Sequence, residues 1–110
     1  MKGRNDMTTF SDREQAFEAK FAHDEDLRFR AQARCNKILG LWAAELLDLS
    51  GDAAKSYAAT VVSADLQEPG HEDVVRKVSA DLKGKATDDV IREKMALFLR
   101  QAQKEILAEV

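Results

Sequence analysis

The 110-residue chain has few of the residues that punctuate or cross-link a fold. It carries one proline, Pro69, and five glycines. Valine and isoleucine recur at helical spacing rather than in alternation, so strands are excluded and an all-α fold is expected. The lone cysteine, Cys35, cannot close an internal disulfide, which suits a reducing, cytoplasmic setting. No apolar run approaches the roughly 20 residues a membrane helix needs. The start, MKGRNDMTTF, lacks the apolar centre of a secretory signal. Neither export nor direct membrane insertion is therefore expected. Positive charge is not in excess: the formal net charge is -3, which removes any general attraction to nucleic acid.

The common catalytic sets are missing as well. His23 and His71 stand far apart, and His23-Asp24-Glu25-Asp26 diverge around a helix without metal-ligand spacing. There is no glycine-rich phosphate loop. Cys35 projects close to the Trp42 row and reads as a small buried thiol. Gly40 lies inside a helical stretch, where it costs about 1 kcal/mol relative to alanine. That cost implies a close helix approach beside Trp42. No enzyme activity, no metal and no required cofactor are expected.

What is present is a set of amphipathic helices with start and stop signals. Ser11, with Glu14 three residues on, can open a helix as a capping box. The next stop is Leu49-Ser50-Gly51, so the first helix is expected to be long. Its apolar pattern divides it. Phe10, Phe17 and Phe21 fall within about 40° of one another at a helical period. The row through Leu27, Ala31, Ile38, Trp42 and Leu49 is rotated from them by roughly 70°. The division falls in His23-Asp24-Glu25-Asp26.

Ser50 is expected to cap a second helix, with Ala54, Tyr57, Ala58, Val61 and Val62 facing inward and an end before Pro69-Gly70. A third runs from His71 or Glu72 to Lys83, with Val74, Val75, Val78 and Leu82 inward and Gly84 closing it. Thr87 caps a fourth, whose stripe is Ile91, Met95, Phe98, Leu99, Ala102 and Ile106. Short connections fold these helices back on one another. The expectation is a four-helix bundle over residues 23–110 with a long first helix and a mobile arm at 1–22.

The arm, TFSDREQAFEAKF, admits two readings. Its phenylalanines fold back onto their own bundle, or they are anchors for a groove on another protein. In the second reading Phe10, Phe17 and Phe21 bind, and Arg13, Glu14, Glu18 and Lys20 set the register by charge. A helix of about a dozen residues is marginal in water, so such an arm is expected to order on its partner. Arg28, Arg30, Arg34 and Lys37 read as solvated surface with Asp24–Arg28 and Asp26–Arg30 pairs. Trp42 and Tyr57 read as core more readily than as a ligand pocket.

The run MTTFSDREQAFEAKFAHDEDLRFRAQARCNKILGLWAAELL, from Met7, and the later DLQEPGHEDVVRKVSADL resemble the zeta subunit family of α-proteobacterial F1Fo ATP synthases. The resemblance extends over about residues 7–108. It implies a four-helix inhibitor of ATP hydrolysis, peripheral to the inner membrane through the F1 sector. It also implies an inhibitory segment at about Met7 to Phe21 that enters an α/β catalytic interface near the γ subunit. Two other readings stay open on the residues: a bundle that senses an adenine nucleotide through Lys37, Trp42 and Tyr57, and an adaptor that docks without inhibiting.

Overall fold

The computed structural model describes residues 21, 23–65 and 71–109. Within them are four helices: α1 (Glu25–Leu46), α2 (Gly51–Asp65), α3 (Glu72–Leu82) and α4 (Asp88–Glu109). α1 packs most broadly, against α2 and α4, while α3 bridges α2 and α4 and touches α1. The all-α bundle expected from the sequence is the fold observed.

The first helix does not run unbroken from the arm. Phe21 and His23 are helical, but Asp24 swings out to φ -119°, ψ 102°. Its carboxylate accepts the Leu27 N–H at 3.1 Å, and its carbonyl accepts the Arg28 N–H at 3.0 Å. Asp24 is thus the N-cap of α1, and the acidic break in the apolar pattern is a true helix boundary. Arg28 consequently pairs with Glu25 at 3.8 Å rather than with Asp24, whose side chain is engaged in the cap. Asp26–Arg30 forms as expected, at 3.9 Å.

The extended Asp24 also redirects what precedes it. A continuous helical projection groups Phe21 with Phe10 and Phe17 on one row, apart from the row that runs through Leu27 and Ala31. The structure instead buries Phe21, 3% exposed, against Leu27, Ala31 and Ile106. The projection fails here because a residue outside the α region resets the direction of the side chains before it. For Phe21 the fold-back reading holds in this conformation. The arm's other candidates, Phe10, Arg13, Glu14, Phe17, Glu18 and Lys20, lie outside the described residues, as does the Pro69-Gly70 turn.

The turn between α1 and α2 is a Schellman closure. Leu49 donates to the Ala44 carbonyl at 2.9 Å and Asp48 to that of Glu45 at 3.1 Å. Asp48 takes the left-handed position, φ 60°, and Gly51 follows at φ 58°. The Ser50 carbonyl accepts the Ala54 N–H at 3.4 Å, so Ser50 opens α2 through its backbone. Thr87 caps α4 with its hydroxyl, which accepts the Val90 N–H at 3.2 Å.

Gly84 closes α3 as expected, and the residue before it is left-handed as well. The left-handed conformation begins on Lys83, φ 49°, ψ 49°, and continues in Gly84 at φ 89°. A lysine in that region crowds its Cβ against the next carbonyl at a cost of about 1–2 kcal/mol. Glycine removes the crowding but gives back part of the gain through a more flexible unfolded chain. Lys83→Gly is therefore expected to stabilise the bundle by about 0.5–1 kcal/mol. Thermal unfolding should show this as a rise of roughly 2–6 °C in Tm.

The main core gathers Leu39, Ala43, Val61, Val74, Val75, Val78, Leu82 and Ile91 from all four helices. Trp42, Tyr57, Met95 and Phe98 pack on its rim. Gly40 faces α2 so closely that a Cβ on it would lie 2.6 Å from Ala58 Cα. The close approach inferred for Gly40 is thus made against α2. A second, smaller cluster forms where the N-terminal side of α1 meets the end of α4. It holds Phe21, Leu27, Ala31 and Ile106, bordered by Leu99 and Leu107.

Candidate functional site

The arm candidates that fall within the described residues reduce to Phe21, so the site is defined by how that residue is rooted. Helix periodicity places Ala31 four residues after Leu27, and both meet Ile106 from α4 around the Phe21 ring. Charged pairs then fasten the two helices beside this cluster. Arg34 forks onto Glu109, with Nη2 donating to Oε1 at 3.1 Å and Nη1 to Oε2, and it reaches Glu105 at 3.4 Å. Arg30 lies 3.9 Å from Glu109. The guanidinium hydrogen bond holds the Glu109 carboxyl below its ordinary range, and Arg34 is correspondingly raised by its bond to Glu109. The basic row on α1 is therefore largely engaged within the molecule. Its partners, Glu105 and Glu109, were not legible from α1 alone.

Lys37 departs from that row. With Lys55, Ala58, Ala59, Val62 and Ser63 of α2, it lines an open groove of about 280 Å³. Of the three residues the nucleotide-sensing reading invoked, Lys37 lines this groove, while Trp42 and Tyr57 pack against the main core.

A second polar cluster escaped sequence reasoning. Asn36 is 1% exposed in the middle of α1. Its Nδ2 donates to Asp65 Oδ2 at 2.9 Å, and its Oδ1 accepts from Gln32 at 3.2 Å. His71 Nδ1 stands 3.5 Å from the other Asp65 oxygen, so Asp65 joins α1, the end of α2 and the start of α3. Burial pushes the Cys35 thiol up to about 12, helped by the nearby Asp65 charge. Its Sγ donates to the Met95 carbonyl at 3.4 Å. A thiol so protonated is a poor nucleophile at neutral pH, in line with the packing role read from the sequence. The available signal for this cluster was a lone asparagine beside the apolar stripe of α1; nothing local named Asp65 as its partner.

Tyr57 donates to Asp81 at 2.8 Å, and Lys77 bonds the same oxygen at 2.9 Å while lying 5.3 Å from the ring centroid. Burial, then the bond to Asp81, raises the tyrosine hydroxyl. Burial opposes ionisation of Asp81, but the bonds from Lys77 and Tyr57 prevail and keep it low. This triad ties α2 to α3 and is satisfied within itself. Among the described residues no group of three metal-ligating side chains converges, and no helix is long and apolar enough to cross a membrane.

Comparison with known proteins adds family information to this geometry. A family model described as ATPase inhibitor subunit zeta matches residues 7–105. A solved solution NMR structure is 48% identical over 76% of this chain and 99% of its own, with a TM-score of 0.71. No match is found among curated proteins.

Proposed function

The chain belongs to the ATPase inhibitor subunit zeta family, and from that membership we propose that it blocks ATP hydrolysis by the F1 sector of an ATP synthase through its N-terminal segment. The observation that carries the reading is the extent of the family match. It takes in the bundle as far as residue 105 and also the segment holding Phe10, Arg13, Glu14, Phe17, Glu18 and Lys20.

The action asks for no chemistry from the inhibitor. A rotary ATPase takes its catalytic α/β interfaces through open and closed shapes. A helix seated in one shape binds it more tightly than the others, and that difference in affinity stalls the cycle. Phe10 and Phe17 would supply apolar anchors; Arg13, Glu14, Glu18 and Lys20 would select the register and face of the cleft near the γ subunit. The bundle contributes a rigid platform. Its first helix is capped by Asp24 independently of what precedes it. The protein would be cytoplasmic and held at the membrane only through F1.

Removing residues 1–20 tests the proposal. The truncated protein keeps Phe21 and the cap of α1, so the far-ultraviolet signal and unfolding transition of a folded bundle are expected. Inhibition of ATP hydrolysis by the cognate F1 should be lost. Full potency in the truncated protein would assign inhibition to the bundle; binding without inhibition in the full chain would mark an adaptor.

A further inference from the structure

We propose that the last turns of α4 are a latch for the N-terminal segment. Phe21 is held against Ile106 while the protein is free, and it must leave that seat before it can act as the innermost anchor of the arm. This rests on the inhibitory-arm reading above and adds a regulating step to it.

Three features of the fold carry the inference. Phe21 is buried, yet it belongs to the small cluster around Ile106 and not to the main core around Leu39. Its release therefore leaves the packing that joins all four helices in place. The extended Asp24 lies between Phe21 and α1 and supplies a joint there. Because Asp24 caps α1 through its own carboxylate and carbonyl, the helix start stays satisfied whether Phe21 is docked or not. The receptor is also held independently of its occupant. Arg34 grips Glu105 and Glu109, and Arg30 approaches Glu109, so the end of α4 remains against α1 when the ring departs. Such a cluster opens at lower cost than the whole bundle unfolds. If Phe21 binds F1 only when undocked, the observed affinity is the intrinsic affinity scaled by the undocked fraction.

Ile106→Ala keeps Phe21 and truncates its seat. The Phe21 ring signals in NMR are expected to move toward those of a solvated phenylalanine, and the concentration needed for half-inhibition of F1 to fall by about fivefold. Glu105→Gln with Glu109→Gln loosens the receptor without opening a cavity. It should act in the same direction, by about twofold, and carries the test if Ile106→Ala does not fold. Unmoved ring signals in a folded variant overturn the latch. Ring release with unchanged or weaker inhibition overturns its role in regulation. Failure of the arm reading shows itself separately, as inhibition by the protein lacking residues 1–20. The ring signals of Ile106→Ala still report on docking in that case.

Discussion

Gly40→Val is expected to destabilise the bundle by about 3 kcal/mol or more, measured by urea unfolding. In a helix interior the exchange would ordinarily help, since glycine is the poorer helix former by up to about 1 kcal/mol. Here the neighbour decides. A Cβ on Gly40 would stand 2.6 Å from Ala58 Cα, 2.9 Å from Ala58 Cβ and 3.3 Å from Val61 Cγ2. The first of these atoms is backbone and cannot rotate away. Relief requires α2 to move off α1, and that movement loosens Leu39, Ala43 and Val61 together. Valine adds two further carbons in the same direction. Overpacking of this kind usually costs about 1–3 kcal/mol, with larger values where the backbone must shift. A variant as stable as the parent would show that the two helices are not in close contact at this point.

Asn36→Asp should be of comparable size and should depend on pH. The substitution places a carboxylate where an amide now donates to Asp65 at 2.9 Å. It removes the donor and sets two like charges side by side at a site 1% exposed. An uncompensated buried charge costs about 3–5 kcal/mol. The pair escapes by keeping a proton, so the folded-state pKa of one carboxyl rises above the unfolded value of about 3.9. The folded variant then binds more protons than the unfolded chain. Its stability is best below the unfolded pKa and declines as pH rises through the raised folded value. The expected result is a variant whose deficit against the parent at pH 7 shrinks in mild acid. Asn36→Leu, which also breaks the bond but adds no charge, should cost less, about 1–3 kcal/mol, and show no such recovery. Equal, pH-independent losses in both variants would mean that Asp65 does not feel a charge at residue 36.

The two sites differ in how far they could be read beforehand. Gly40 announces itself, because a glycine inside a strongly helical run demands a reason, and close approach is the common one. What it approaches is not written nearby; Ala58 and Val61 become its neighbours only when α2 is laid across α1. Asn36 carries a fainter signal and Asp65 almost none, since an aspartate near a helix end reads as solvated. Arg34 is similar. Its sequence neighbours suggest local pairs, whereas it forks onto Glu109, 75 residues away. Phe21 is a third case. The sequence left open whether it folds back on its own bundle or anchors a partner, and the structure, with Asp24 extended, seats it on Leu27, Ala31 and Ile106.

Helix number, the acidic break before α1, the caps at Thr87 and Gly84, and the inward stripes of α3 and α4 were determined by the sequence alone. Each depends on side-chain periodicity or on hydrogen bonds spanning three or four residues, and those distances are set by the chain itself. The tertiary structure alone decided that Phe21 sits on Ile106, that Asn36 meets Asp65, and that Arg34 is held by α4. Those outcomes depend on the rotation and crossing of one helix against another. Many distant contacts choose them together, and no short stretch of residues contains the choice.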